Sequence, residues 1–203
     1  MTPTPRSIVN AAHSSVRAKM KKVAVIVGSL RRESINKKFA RVLGHLAKDR
    51  LQFDIIDLSN VPLYNDDLWE NVPESIVELK QRISEADGVL FASPEYNRSF
   101  TPVLKNAIDW GTRPYGKNVF SNKPGAVVGT SPGAIGSAVG QSQLRTVLAS
   151  IHVVTMGQPE VYLSWKEDLF DADLNIVNES TRSFLENWVD HFARWIDRMG
   201  PEN

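Results

Sequence analysis

Short, wholly apolar runs alternate along the chain with longer stretches in which apolar residues recur every three or four positions. Residues 23–27 (VAVIV) form a continuous β-branched run that ends at Gly28, the pattern of a strand buried on both faces. From 33 to about 46, Ile35, Phe39, Val42, Leu43 and Leu46 follow a helical spacing. Residues 53–58 (FDIIDL) predict a second strand, and 59–72, with Pro62, a loop. Pro73 opens a second helix with Ile76, Leu79, Ile83 and Ala86 on one face, proline being favourable at the first helical position. GVLFA at 88–92 is a third strand, stopped by Ser93-Pro94. Pro102 starts a helix through Leu104, Ala107, Ile108 and Trp110, a loop follows over 111–123, and 125–128 is a fourth strand. The glycine-rich stretch 129–140 leads into a helix that ends near Ser150. Val153 and Val154, together with 161–163, make the fifth strand region. Residues 178–199 form a long amphipathic helix that turns Phe184, Leu185, Trp188, Phe192 and Trp195 inward.

This βα alternation with short links predicts an α/β domain, a parallel sheet with helices on both faces. Ligands of such sheets bind beyond the carboxyl ends of the strands, where strand order reverses. The loops that matter are therefore 28–36, 93–101 and 129–140.

Composition narrows the classes. The 203 residues are 42% apolar and 23% charged, values of an ordinary globular chain with room for one domain. No apolar run approaches the roughly 18 residues of a membrane span. With no cysteine, disulfides, iron–sulfur ligation and thiol catalysis are excluded. The four histidines, His13, His45, His152 and His191, are scattered, so no metal site is expected. The apolar neighbours of His152 suggest a core histidine. Asp109, closing a helix before Gly111, reads as structural.

The net charge of +1 hides an asymmetry. Residues 1–22 carry five basic residues and no acid, which leaves 19 basic against 23 acidic residues from Val23 onward, a net of −4. No footprint for nucleic acid is present, and a cytoplasmic location is expected. Residues 1–21 read as a flexible basic extension lacking the apolar core of a secretory signal, and 22–203 as the domain.

The first loop, Gly28-Ser29-Leu30-Arg31-Arg32-Glu33-Ser34-Ile35-Asn36, has neither the G-K-[ST] of a Walker loop nor G-x-G-x-x-G. It is rich in hydroxyl, amide and guanidinium donors directly before a helix. A phosphate monoester there would meet unpaired backbone N–H groups and the positive end of the helix dipole. The competing reading has Ser34 capping the helix and the arginines solvated. In the second loop, Ser93-Pro94-Glu95-Tyr96-Asn97 ends a ladder and offers backbone groups as a platform for a flat heteroaromatic ring, unless it is an ordinary turn. In the third, Thr130 to Ser137 carries small residues that let a backbone approach a flat ligand, or simply enter a helix, while Gly136 and Gly140 suit close helix packing.

GSLRRESIN, SPEYN and TPVLKNAIDW, in this order and context, resemble the NADPH-dependent FMN reductase family, which includes flavodoxin-like quinone and chromate reductases and some azoreductases. The resemblance runs from about Lys22 to Met199. It implies a flavodoxin-like, five-stranded sheet of order 2-1-3-4-5. It implies FMN as cofactor and NADPH or NADH as co-substrate, with no catalytic side chain, because the flavin carries the chemistry. Ser29, Arg31, Ser34 and Asn36 are similar to the phosphate-binding residues, with Leu30, Arg32 and Ile35 beside them, and the choice between Arg31 and Arg32 stays open. Pro94, Glu95, Tyr96 and Asn97 match the segment along the isoalloxazine, and Ser131, with Gly133, the third loop that touches it. Arg98 departs from the pattern and, with Tyr96, is a candidate substrate-binding residue. Residues 158–173 also depart, so substrate choice does not transfer. The implied partner is a small-molecule electron acceptor such as a quinone, with chromate, azo dyes or free flavin as further candidates, used in two alternating half-reactions. A homodimer or homotetramer is expected, paired near Trp110 and Tyr115. A flavodoxin-type electron carrier would be strongly acidic, and −4 is mild for one; a regulatory phosphate-binding protein of the same fold is the third reading.

Overall fold

In the computed structural model, residues 20–171 and 173–200 are described; residues 1–19, and with them nearly all of the basic extension, lie outside that range. The elements are β1 (Lys21–Val27), α1 (Ile35–Ala47), β2 (Leu51–Ile56), α2 (Glu74–Glu85), β3 (Gly88–Ala92), α3 (Pro102–Thr112), β4 (Pro124–Ser131), α4 (Ala138–Ser150), β5 (Val154–Thr155), β6 (Tyr162–Ser164) and α5 (Glu179–Met199). Lys21, grouped with the extension on sequence, is thus the first residue of β1. The strands pair in parallel in the expected order β2-β1-β3-β4-β5. The fifth strand region is split. β5 pairs with the start of β4, and β6 takes the same role at its end, with Gly129 opposite Tyr162.

Strand alternation sorts the core into two layers. Val23, Val25 and Val27 join the side packed by α1 and α5, while Ala24 and Ile26 join the side packed by α2, α3 and α4. Most of β1 is completely buried, as the β-branched run requires. Four local readings are corrected. β2 begins two residues earlier than expected, because Leu51 is buried in the core, and ends at Ile56, because the Asp57 carboxylate accepts from Ser59 N and starts a turn. Pro73 is the N-cap of α2 rather than its first residue. Phe184 is 41% exposed on α5, one position off the stripe of Leu185, Trp188, Val189 and Phe192. His152 is no core residue. It is exposed in a left-handed turn between α4 and β5, where only its backbone is engaged, its N–H donating to Ala149 O and its carbonyl accepting from Asn122 N. Trp110 is also inside, its indole N–H donated to Pro62 O, so only Tyr115 of the expected pairing residues is at the surface. Asp109 does not close its helix, since α3 runs on to Thr112; its carboxylate forms an i,i+4 ion pair with Lys105.

One buried side chain fixes the ligand end of the sheet. The amide of Asn36, in the first turn of α1, donates from Nδ2 to Thr130 O (2.9 Å) and accepts from Thr130 N (3.0 Å) at the end of β4. At the opposite side, Arg82 of α2 donates two hydrogen bonds to Asp54 of the edge strand β2 and one to Ile55 O. The guanidinium holds the Asp54 carboxyl below the ordinary carboxylate range.

Asn36→Ala leaves two buried backbone groups without partners, so it should cost about 2–4 kcal/mol of stability in urea unfolding. Because the Asp54 pKa is depressed by folding, its contribution exists above the unfolded value near 4 and fades as pH falls below it. Arg82→Ala should therefore cost on the order of 1 kcal/mol at pH 7, and the difference from the parent should close by about pH 2.

Candidate functional site

Three loops meet at the carboxyl ends of β1, β3 and β4, and each is shaped by its local sequence. Gly28 closes β1. A Cβ there would lie 2.4 Å from Thr101 Oγ1, and that hydroxyl donates to Gly28 O (2.7 Å) while capping α3 at Leu104 N. The chain then turns through Ser29 into Ser34, whose side chain accepts from Lys37 N (3.3 Å) as the N-cap of α1. The capping reading of this serine holds, and the cap occupies one first-turn N–H while those of Ile35 and Asn36 have no intrahelical acceptor.

The second loop is a tight hairpin. Tyr96 and Ser99 exchange backbone hydrogen bonds of 2.9 and 3.0 Å. Between them Asn97 (φ 50°) and Arg98 (φ 65°) both take the left-handed conformation of a type I′ turn. Glu95 anchors this hairpin to α4. Its Oε2 accepts from Gly140 N (3.0 Å), and Oε1 is 3.6 Å from the Arg98 guanidinium. The cap of α4 is supplied from outside, since Ser137 at the helix start is left-handed and makes no side-chain cap. Gly140 permits the approach: a Cβ there would come within 3.1 Å of the Ser99 carbonyl.

These loops enclose a cavity of about 150 Å³. Of the residues predicted from sequence, Ser29, Arg31, Ser34, Ile35, Asn36, Pro94, Glu95, Tyr96 and Ser131 line it. Leu30, Arg32, Asn97, Arg98 and Gly133 do not; all five are exposed, Arg32 with a side chain 95% accessible. The two adjacent arginines are thereby distinguished, with Arg31 on the wall and Arg32 in solvent. Asn36 reaches the cavity, but its amide is engaged by Thr130, so what it offers a ligand is its backbone N–H. Thr130 and Pro132 are lining residues the sequence reading missed. The sequence puts Thr130 in the third loop without singling it out, whereas it belongs to β4 and its hydroxyl donates to Leu163 O of β6. No cluster of metal-ligating side chains occurs among the described residues, and no helix there is long and apolar enough to cross a membrane.

An anion fits the α1 end of the cavity: free N–H groups, the helix dipole, two serine hydroxyls and one guanidinium converge there. A flat ring fits the other end, between Pro94, Tyr96 and Ser131. That donor set matches a flavin mononucleotide, phosphate at the helix and ring at the sheet edge.

Comparison with known proteins points the same way. The chain is 49% identical over 175 residues to a 2-hydroxy-1,4-benzoquinone reductase of Burkholderia sp, covering 86% of this chain and 96% of that protein. It is 46% identical over 175 residues to a quinone reductase of Pseudomonas putida, covering 86% and 94%. The structure of FerB, a flavoenzyme NAD(P)H:(acceptor) oxidoreductase from Paracoccus denitrificans, superposes with a TM-score of 0.88 at 48% identity, covering 90% of this chain and all of that one. The profile of NADPH-dependent FMN reductases matches residues 21–168, from the first strand past all three site loops. With the cavity built from those loops, and relatives of this similarity along nearly its whole length, the chain belongs to the NADPH-dependent FMN reductase family.

Proposed function

We propose that this chain is an NAD(P)H-dependent quinone reductase in which donor and acceptor use one open ring face in turn. The observation that carries the reading is the cavity itself. It joins an anion cradle to a ring platform and, at about 150 Å³, is small against the roughly 300–1,000 Å³ of a typical small-molecule site. A flavin seated by its phosphate would therefore keep part of its ring outside. When bound, FMN supplies the hydride-accepting and hydride-donating chemistry.

The chain's own residues bind and orient. Backbone N–H groups of Ile35 and Asn36, the hydroxyls of Ser29 and Ser34, and Arg31 hold the phosphate. Pro94, Glu95 and Ser131 present the sheet edge to the ring, and Tyr96, 54% exposed, borders its open side. Glu95 keeps the hairpin registered on α4, which sets how far that platform stands from the third loop. Arg98 stands on the same hairpin with its guanidinium toward solvent and offers a cation to the phosphates of NADPH or to an anionic acceptor. A shared, weakly specified face suits a broad range of flat acceptors, with azo dyes and chromate as further substrates. Exposed Leu63 (80%) and Tyr115 (96%) are the apolar surface for a homodimer or homotetramer.

Arg31→Ala should weaken FMN binding to the apoprotein by about 1.5–3 kcal/mol, the range for a hydrogen bond to a charged group, while Arg32→Ala leaves it unchanged; equal effects would place the phosphate elsewhere. Steady-state kinetics with NADPH and a quinone varied together should give parallel double-reciprocal lines. Intersecting lines would reject the shared face. Arg98→Ala should raise KM for NADPH more than for an uncharged quinone, and sedimentation should show a species larger than the 22.7 kDa chain.

A further inference from the structure

A second cavity, of about 680 Å³, opens beside the first and shares Arg31 and Ile35 with it. Its floor is aromatic. Trp165, just beyond β6, packs on buried Phe170 with ring centroids 4.9 Å apart and remains partly exposed. Trp69, Trp110 and Trp195 donate their indole N–H groups to protein oxygens; those of Trp165 and of buried Trp188 meet no acceptor among the described residues, and of these two Trp165 lines the cavity. An indole plane with a free donor at the wall of a cavity suits a polar heteroaromatic ring.

The charges on the wall are unevenly satisfied. Glu33 is paired with Lys38 (3.1 Å), and the Asp171 carboxylate is taken up by Asp173 N and by the backbone and side chain of Asn175. Arg31, Arg41 and Glu167 make no ion pair among the described residues, which leaves two guanidinium groups and one carboxylate free. The first turn of α1 holds Lys37 and Lys38 and no acid; Glu33 answers Lys38, which leaves Lys37 and Arg31 without an ion pair among the described residues near the end where the helix dipole is already positive. That arrangement is unfavourable until anions neutralise it. One monoester phosphate answers part of this charge, and Arg41, which lines this cavity and not the first, keeps no ion pair among the described residues.

We propose that this second cavity is an adenylate site, taking the adenosine phosphate portion of a dinucleotide. The adenine stacks on Trp165, the phosphate meets Arg31 and Arg41, and Glu167 accepts from the exocyclic amine or a ribose hydroxyl. The proposal rests on the placement of the flavin phosphate at the start of α1, because the shared Arg31 then puts the adenylate next to it. Two dinucleotides carry this group, the NAD(P)H co-substrate and FAD.

Calorimetric titration of the FMN-loaded protein with ADP tests the site. Saturable binding at submillimolar concentration is expected, weakened at least fivefold in Trp165→Ala, since base–aromatic stacking commonly contributes that much. Arg41→Ala, at an exposed position, should weaken it too and stands in should the tryptophan variant fail to fold. If bound ADP raises KM for NADPH without lowering kcat, the adenylate is the co-substrate's. If ADP binds only after FMN is removed, and FAD then displaces FMN from the full chain, it is the flavin's own. Absence of ADP binding to either form, or binding that both variants leave untouched, overturns the site. FMN affinity that still depends on Arg31 would show in that event that the flavin placement stands and only the adenylate site has failed.

Discussion

Asn36 exchanges two hydrogen bonds with the backbone of Thr130, a residue 94 positions further along the chain. The loops after β1 and β4 belong to strands that are not neighbours, since β3 lies between them. Sheet hydrogen bonds alone fix their separation only through that intervening strand. The buried amide adds a direct link over the top, and the first turn of α1 is thereby held against the end of β4. The second loop is tied in from both sides. Thr101 bonds to Gly28 O, and Glu95 bonds to Gly140 N at the start of α4. With these three contacts the rim of the cavity is a closed circuit of side chain to backbone bonds. Backbone partners suit that purpose, because the donor and acceptor positions are fixed by strands and helix ends rather than by mobile side chains.

Much of this could be read before any coordinates. The run VAVIV is central because a parallel strand covered on both faces must be apolar throughout, and the same reasoning located β3 and β4. Serine, arginine and amide groups packed between a strand end and a helix start have few structural uses in common, so the first loop stood out as a cavity wall as well. The residues that escaped did so for tertiary reasons. Thr130 and Pro132 line the cavity through the position of β4 against β6, which local pattern does not encode. The engagement of the Asn36 amide depends on a partner in another strand. His152 sits among apolar neighbours, but the chain reverses there, and a left-handed turn at the surface has no periodicity to betray it.

Family membership and geometry constrain different things. The relatives speak to the reaction class, and the cavity to how few side chains that reaction needs from the protein. Neutral donors, backbone groups, one guanidinium and the Glu95 carboxylate, which accepts from Gly140 N, line the site. Among the described residues the cavity lining holds one carboxylate and no histidine.

The hairpin at Asn97 and Arg98 has a cost that its position explains. An arginine in the left-handed region carries roughly 1–2 kcal/mol of backbone strain that glycine would not. The turn holds it through the Glu95 ion pair and through Gln143, which donates to Arg98 O (2.8 Å). Backbone energetics and charge therefore pull this position in opposite directions. A more rigid, more heat-tolerant scaffold is available by one exchange to glycine, and it would come with a neutral turn, so a search for stabilised variants would tend to drift toward an enzyme that has lost the cation on this hairpin.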